Sequence, residues 1–354
     1  MTIPTEPIGS IPRSPALLGG IADFASGAID RSALDRLVDE ALRDTINRFE
    51  ATGSPVITDG EQAKPSFVTY PLDGPAGPAN LAPGGVAIPF ADGHQRQLPV
   101  LTAGPFSYQT FASGYLLAAR QYATVAVKQA VIAPSALSLL YPADGIDGYS
   151  QEQFIHDLAD QAEQDIRRCL DAGADSVQLD FTEGRLSIKL DPSKGVLNQF
   201  VALNNLVLDR FSDDERRRIG VHTCPGGDQD STHSADIDYA DLLPSLFQLR
   251  AGRFYVQLAS EPDRRRVLAI IGEHLQPDQH VFVGVIDPIN PRIETAEQVR
   301  DRVLEAAEFI PEGQLGTCDD CGFAPFGDDT STSRDIAFAK IKARVDGTAL
   351  AAKG

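Results

Sequence analysis

The sequence is short of several kinds of residue, and each shortage narrows the class of protein. Only four of its 354 residues are cysteines, too few for a disulfide framework, so we expect reduced thiols and a cytoplasmic enzyme. Basic residues are also scarce, since 31 lysines and arginines stand against 50 aspartates and glutamates, a net charge of −19. Nucleic acid and anionic lipid would repel such a chain, so neither is an expected partner.

Long apolar runs are missing as well. No stretch reaches the roughly 20 apolar residues that cross a bilayer. The first residues, MTIPTEPIGS, lack the basic and then apolar segments of a secretion signal. With 42% hydrophobic residues the chain can still bury a large core. The sequence leaves the oligomeric state open, and a homo-oligomer is compatible with it.

Short β-branched segments alternate with helical patterns along the chain. This alternation predicts an α/β fold, a single-domain (β/α)₈ TIM barrel over 1–354, with a doubly wound sheet as the alternative. A segment rich in proline and glycine, about 62–98, is predicted as an excursion from the barrel. The predicted strands are 5–10, 54–60, 128–134, 175–180, 218–224, 253–259, 280–287 and 314–321, and the predicted helices are 31–51, 151–173, 194–211, 296–310 and 333–347.

The stretch GVHTCPGG ends one of these strands with a histidine and a cysteine two positions apart. Because residues i and i+2 of a strand share a face, His222 and Cys224 present an imidazole and a thiol side by side. In a barrel this end of a strand carries the active site, and both groups are good zinc ligands. A small buried cysteine of structural role is the alternative.

The last predicted strand adds TCDDCG, which brings Cys318 and Cys321 to the same rim. Three of the four cysteines and one histidine are therefore expected at one end of the barrel, which strengthens the prediction of a Zn²⁺ site. The remaining cysteine, Cys169, lies on a helical pattern and is expected to pack in the interior.

Five short motifs are spread in order along nearly the whole chain: IGS at 8–10, DGEQ at 59–62, VQLD at 177–180, HTC at 222–224 and DDCG at 319–322. Together they resemble the catalytic barrel of the cobalamin-independent methionine synthase family and its short single-domain relatives. In that family zinc binds the thiol of homocysteine as a thiolate, which attacks a methyl group. The resemblance thus implies a zinc-dependent transferase that methylates homocysteine or a similar thiol.

The resemblance also assigns roles to single residues. It implies His222, Cys224 and Cys321 as zinc ligands. It further implies that Glu61 and Asp180 hold the ammonium group of the substrate, and the same motifs place Ser10 at its carboxylate. The alternatives are a solvated loop charge for Glu61 and a helix cap for Asp180.

One zinc ligand of the family has no counterpart here. The family's zinc glutamate falls on Gln257 or Leu258, and neither is a good ligand. The fourth position is therefore left to Cys318, to Glu261 or to solvent.

The features that serve a folate donor are missing too. The sequence has no tryptophan to pack on a pterin, and GVIDPINPR (284–292) has Ile289 or Asn290 where the family has a histidine. Free methyltetrahydrofolate is therefore not the expected methyl donor, and a methyl-corrinoid protein is the expected partner.

Four further residues are singled out near these motifs. Phe181 replaces an acid of the family, which predicts a more apolar pocket. Arg185 is a candidate for binding an anionic group of the substrate, with an ion pair to Glu183 as the alternative. His233, in a polar loop after Cys224, and Asp287, at the end of a predicted strand, are the candidate catalytic residues, with His233 as proton donor or partner of the ligands.

Two other functions stay open. One is that of an epoxyalkane:coenzyme M transferase, which opens an epoxide with a zinc-activated thiolate. It would need a cation for the sulfonate and an acid for the alkoxide, for which Arg185, Arg292 and His233 are candidates. The other is a non-catalytic zinc or thiol-binding protein, which a closed four-ligand site would favour.

Overall fold

A computed structural model describes residues 3–74 and 80–353. Its α-helices are α1 Pro15–Ala25, α2 Arg31–Ala51, α3 Ser113–Arg120, α4 Pro134–Ser138, α5 Gln151–Asp171, α6 Glu183–Leu190, α7 Gly195–Leu208, α8 Asp213–Arg216, α9 Tyr239–Leu246, α10 Arg264–His274, α11 Ala296–Ala307 and α12 Arg334–Ala351. Its strands are β1 Val56–Ile57, β2 Leu81–Ala82, β3 Ala87–Pro89, β4 Gln95–Gln97, β5 Val100–Leu101, β6 Ala126–Val127, β7 Gln129–Ile132, β8 Val177–Asp180, β9 Ile219–Thr223, β10 Gly227–Asp228, β11 Ser231–Thr232, β12 Arg253–Val256, β13 His280–Ile286 and β14 Leu315–Asp319.

The strands form the predicted barrel. Six parallel strands lie in the order β14-β13-β12-β9-β8-β7, and β6 continues the ring by pairing in parallel with β1. On the other side, Thr5 forms a parallel bridge with Thr317 of β14. Hydrogen bonds from Thr58 Oγ1 to Gly9 O (2.9 Å) and from the Ile11 amide to Gly60 O (3.0 Å) join the remaining two segments. The barrel prediction is confirmed, and the doubly wound alternative is wrong.

The first predicted strand, 5–10, is reduced to that single bridge. Pro4 and Pro7 flank Thr5, and proline has no amide hydrogen to give to a sheet ladder. The segment still takes a strand's place in the ring, so Ser10 reaches the carboxyl end of the barrel. The other predicted strands are present, with shorter bounds.

Local sequence explains where several helices begin. Asp30 caps α2 by accepting a hydrogen bond from the Ala33 amide at 2.8 Å. Ser150 and Gln153 form a capping box at the start of α5, in which each side chain satisfies the other residue's amide. The prediction missed α1, although Ser14 followed by Pro15 is a typical helix start.

The proline- and glycine-rich segment is an excursion over the carboxyl end of the barrel, although 75–79 of the predicted 62–98 lie outside the described residues. Within it, β3 and β4 form an antiparallel hairpin. This hairpin packs on a second hairpin, β10–β11, which follows the His-x-Cys motif: Ala91 N donates to Thr232 O at 3.0 Å, and Arg96 pairs with Asp228 at 2.5 Å. The excursion therefore forms a roof beside the site.

The core lies inside the ring and between the ring and its helices. Every residue of β8, β9 and β14 is buried, as expected for parallel strands covered on both faces. A small cluster of Ile8, Tyr255, Phe282 and Cys318 fills the barrel interior. Among the helices of 3–74 and 80–353, none is long and apolar enough to cross a membrane.

Candidate metal and substrate site

Three predicted metal ligands meet at the carboxyl end of the barrel. His222 belongs to β9, Cys224 follows it directly, and Cys321 lies two residues beyond β14. One ligand atom from each lies within 4.8 Å of the others, and the two Sγ atoms are 3.4 Å apart. One imidazole and two thiolates are a donor set typical of zinc, so these residues fit such an ion.

The histidine is held in place by Asp180 of the adjacent strand β8 and by Asp320, which lies just beyond β14. His222 Nδ1 lies 3.2 Å from Asp180 Oδ1, and Nε2 lies 3.3 Å from the Asp320 carbonyl oxygen. Gln178 Nε2 in turn donates to Asp180 Oδ1 at 2.8 Å. Partners of this kind fix the orientation of a ligand ring and raise its basicity. Asp180 therefore has a positioning role that the sequence did not suggest.

All three ligands line one cavity, the metal-site cavity, together with the residues predicted to bind substrate. Ser10, Glu61 and Asp180 are each at most 5% exposed. Ser10 comes close to the ligands because position 322 is a glycine, where a Cβ would collide with the Ser10 hydroxyl. The lining residues are Ile8, Ser10, Glu61, Phe67, Gln178, Asp180, Thr182, His222, Cys224, Gly226, Gly227, Cys321, Gly322 and Pro325.

Glu61 is a buried charge rather than a solvated one, so the surface alternative for it is wrong. Its Oε1 accepts a hydrogen bond from Lys64 Nζ at 2.9 Å, and Lys64 also donates to Ala130 O at 2.9 Å. Burial raises the pKa of Glu61, and the Lys64 ammonium opposes that rise. Glu61 also has a positive φ of 56°, uncommon for a residue with a side chain. Such strain is typical of functional positions.

Neither protein candidate for a fourth ligand is in place. Cys318 lies within β14 and points into the barrel interior, where its Sγ contacts Phe282 O at 3.3 Å. Glu261 instead forms an ion pair of 2.6 Å with Arg185. Within the described ranges, the group able to hold a metal consists of the three ligands alone, and solvent remains the candidate for the fourth position.

Arg185 is buried and does not pair with Glu183, so the alternative expected for it is wrong. It is 1% exposed, and besides Glu261 it contacts Gln257 Oε1 at 3.3 Å. Its guanidinium lies 4.1 Å from the centre of the Tyr239 ring. The guanidinium group of Arg185 is therefore engaged by other residues of the protein. Arg185 does not line the metal-site cavity.

Two other expected residues lie away from the cavity. The Asp287 carboxylate accepts the amides of Ile289 (3.1 Å) and Asn290 (3.4 Å), so it shapes a turn. Phe181 is fully buried against α6 and does not line the cavity either, so the apolar pocket wall predicted from it is wrong.

His233 lies beside the site but not in the metal-site cavity. Its Nδ1 is 2.7 Å from Ser234 Oγ, and its ring packs edge-on against Phe90 with centroids 5.4 Å apart. The ring lies directly over Gly226, a residue of positive φ where any Cβ would collide with it. Burial lowers the pKa of His233 to about 4, so the imidazole is neutral at neutral pH. It is therefore a weak proton donor in this state.

Sequence reasoning missed a second cavity, the apolar cavity, which shares Phe67, Thr182, Gly226 and Gly227 with the first. The available signal was the apolar side chains of the excursion, such as Ile88, Phe90 and Leu98, which suit the wall of a cavity. Its lining residues are Phe67, Val68, Ile88, Phe90, Arg96, Leu98, Ala136, Leu139, Thr182, Glu183, Leu186, Gly226, Gly227, His233 and Phe326.

Comparison with known proteins finds relatives that match most of this chain. A methionine synthase of Saccharolobus solfataricus is 23% identical over 349 residues, which cover 98% of this chain and 94% of the relative. A 5-methyltetrahydropteroyltriglutamate–homocysteine methyltransferase of Nitratidesulfovibrio vulgaris is 23% identical over 325 residues, 91% of this chain but 39% of the relative.

Two solved structures share the fold. A B12-independent methionine synthase from a Shewanella species, in complex with selenomethionine, has a TM-score of 0.76 at 20% identity and covers 100% of this chain and 98% of its own. A putative vitamin-B12 independent methionine synthase from Listeria monocytogenes has a TM-score of 0.70 at 21% identity, with 99% and 98% covered. The family described as the catalytic domain of cobalamin-independent synthases matches residues 3–342, and this protein belongs to that family.

Proposed function

We propose that the protein is a zinc-dependent thiol alkyltransferase of the methionine synthase type, which methylates homocysteine or a similar thiol. The observation that carries the proposal is the meeting of His222, Cys224 and Cys321 on the wall of a cavity that also contains two buried carboxylates. A zinc ion held there would supply a Lewis acid that keeps a substrate thiol deprotonated, whereas a free thiol with a pKa near ~8.5 is mostly protonated at neutral pH.

The rest of the cavity suits the amino acid part of such a thiol. Glu61 and Asp180 are negative groups for an ammonium, and their burial strengthens the attraction. Lys64 engages only Oε1 of Glu61, so the other carboxylate oxygen is available to the ligand. We assign to the Ser10 hydroxyl, which lines the same cavity, the role of donor to the substrate carboxylate.

The lining of the cavity also weighs against the two other functions. None of its lining residues, within the described part of the chain, is a lysine or an arginine, and a sulfonate thiol such as coenzyme M needs a cation. Three ligands beside an open cavity are typical of a catalytic zinc site rather than a closed structural one.

We further propose that the methyl donor is not free methyltetrahydrofolate. A folate nitrogen is a poor leaving group that needs a proton, and general acid catalysis of this kind is worth roughly 10²–10⁴-fold. The family's histidine is replaced by Ile289 or Asn290, and His233 is neutral and hydrogen-bonded to Ser234. A methyl-corrinoid protein is the preferred donor, because its leaving group needs no proton.

The test is product identification by mass spectrometry. Zinc-loaded protein is incubated with homocysteine and, separately, methylcobalamin, a small epoxide or methyltetrahydrofolate. We expect methionine from methylcobalamin and negligible product from methyltetrahydrofolate. Cys321→Ser should abolish the reaction while its circular dichroism spectrum stays that of the parent protein.

The outcomes separate the candidate functions. Methionine formed efficiently from methyltetrahydrofolate alone would overturn the donor proposal. An epoxide adduct of coenzyme M, without any methionine, would favour the epoxide-opening enzyme. Zinc binding without any thiol alkylation would favour the non-catalytic protein.

A further inference from the structure

The apolar cavity adjoins the metal-site cavity, and nothing in the proposed chemistry so far uses it. Its interior leaves about 40 Å³ of free space for the centre of a water-sized sphere. The excursion forms its roof with Ile88, Phe90 and Leu98, while Ala136 and Leu186 form part of the opposite wall. The four lining residues that the two cavities share make them neighbours with a common wall.

One buried polar group in this wall has an unused hydrogen-bonding atom. Glu183 is 4% exposed, and its Oε1 accepts a hydrogen bond from Ser135, which itself accepts one from Asn204 Nδ2 at 2.9 Å. Its Oε2 has no partner among residues 3–74 and 80–353. Leaving a buried polar atom unpaired costs roughly 1–3 kcal/mol, so such an atom calls for an explanation.

The state of Glu183 decides what it can bind. Burial raises its pKa to about 8, against an ordinary value of 4.5, and the nearby Asp180 carboxylate adds to the rise. At neutral pH the group is therefore a carboxylic acid with a hydrogen to donate. An acid of this kind donates a hydrogen bond to an acceptor atom but supplies no positive charge to neutralise an anion.

Two other polar side chains of the cavity, Arg96 and His233, are engaged within the protein. Arg96 pairs with Asp228 and Asp328, and its guanidinium lies 4.2 Å from the centre of the Phe326 ring. His233 is bound to Ser234 through Nδ1. Glu183 thus stands in a largely hydrocarbon wall, which favours an uncharged ligand.

We propose that the apolar cavity binds one portion of the alkyl donor, an uncharged apolar group with one hydrogen-bond acceptor that Glu183 recognises by donating a hydrogen bond. The inference rests on the proposed function, because the shared wall places such a portion beside the thiol. It adds the chemistry of that portion: neutral and apolar, with no carboxylate at this end. It also gives the excursion a role, since its hydrophobic side chains form half of the enclosure.

The experiment measures binding of small probes rather than turnover. Cyclohexanone is neutral with one acceptor, methylcyclohexane lacks the acceptor, and cyclohexanecarboxylate is an anion. Binding to the full protein at pH 7 is measured by ligand-observed saturation-transfer NMR. We expect cyclohexanone to bind and the carboxylate to bind at least about 10-fold more weakly. Burying the carboxylate charge is costly, because the cavity wall is largely apolar and offers no free cation.

Two substitutions of Glu183 isolate the hydrogen bond. Glu183→Leu should weaken cyclohexanone binding about 3- to 10-fold, the usual worth of one net hydrogen bond, and leave methylcyclohexane unchanged. Glu183→Gln keeps a donor and should stay within about 3-fold of the parent protein. Glu312→Leu, at an exposed acid far along the chain, is the matched control and should change nothing.

The pH profile keeps the test valid if the leucine variant fails to fold. The charged and titratable groups that face Glu183 are Asp180, His233 and Arg96. His233 has its pKa near 4 and Arg96 stays charged, so neither titrates between pH 7 and 9. The parent protein should lose cyclohexanone affinity over this range as Glu183 ionises, whereas Glu183→Gln should not.

Equal affinity for cyclohexanone and cyclohexanecarboxylate, or a Glu183→Gln profile that falls with pH like that of the parent protein, would overturn the inference. A failure of the proposed function would be detected by other measurements, namely zinc content and turnover. Cys321→Ser should lose zinc and turnover but keep its cyclohexanone affinity, because Cys321 lines only the metal-site cavity. A protein that binds the probes as expected but never alkylates a thiol would leave the cavity assignment intact.

Discussion

Glu183 should make the protein less stable as pH rises from 5.5 to 8.5, and Glu183→Gln should remove this loss. The folded-state pKa of about 8 lies above the ordinary value of 4.5. Between these values the native protein binds more protons than the unfolded chain, so the free energy of unfolding falls with rising pH. The direction is opposite to that of an ordinary salt-bridged carboxylate, which stabilises at neutral pH.

The magnitude follows from the gap between the two pKa values. Each pKa unit is worth about 1.4 kcal/mol, so fully ionised Glu183 costs the native state roughly 4–5 kcal/mol. About 1 kcal/mol of this cost is already present at pH 5.5. Between pH 5.5 and 8.5 the stability difference between Glu183→Gln and the parent protein should therefore grow by about 3 kcal/mol in favour of the variant.

Urea unfolding, followed by circular dichroism at pH 5.5, 7 and 8.5, measures this difference, provided that the two proteins have equal m-values. Glu308→Gln is the control. A hydrogen bond from Arg265 lowers the pKa of the exposed Glu308 below its ordinary value, so that residue is ionised in both states throughout the range. Its difference from the parent should be flat. A flat or shrinking difference for Glu183→Gln would show that Glu183 is already ionised in the native protein at neutral pH.

The other predictions concern the metal and the roof. Purified protein should carry about one zinc ion per chain, and Cys224→Ser or Cys321→Ser should lose most of it by metal analysis, while Cys318→Ala should not. X-ray absorption should show two sulfur ligands near ~2.3 Å, and three would place Cys318 at the metal after all. Arg96→Met should release the excursion from Asp228, so that proteolysis within it becomes roughly 10-fold faster, equal to about 1.4 kcal/mol of local opening. Unchanged cleavage would mean that Arg96 does not fasten the roof.

The alternation of strands and helices was enough to predict the barrel. The hydrophobic pattern that identifies each strand or helix depends only on residues close together in the sequence. The helix at 31–51 has the same bounds in the structure, since Asp30 caps its first turn. The pairing of His222 with Cys224 was also predictable, because it depends only on the two-residue period of a strand.

The resemblance implied Cys321 as a ligand, but whether Cys318 is the fourth ligand could not be decided from the sequence. Three positions apart in a continuous strand, the two side chains would face opposite sides of it. The answer depends on where the strand ends. It ends at Asp319, so Cys318 stays in the interior against Phe282, while Cys321 turns back over the mouth. That end is set by the loop's tertiary contacts: the carboxylate of Asp320 accepts the amides of residues 258–260.

The contacts of Arg185 and Glu183 depend on residues that are far away in the sequence. Arg185 was expected to pair with Glu183, two positions away, yet it bonds Glu261, 76 positions away, because residues i and i+2 do not face each other on the helix α6. For the same reason the Glu183 side chain points away from Arg185. It lines the apolar cavity, where Arg185 does not neutralise its carboxylate. The pairing of Arg185 with Glu261 therefore has two consequences. It holds the Glu261 carboxylate at Arg185 instead of at the candidate metal ligands, and it leaves Glu183, whose pKa burial raises to about 8, facing the apolar cavity.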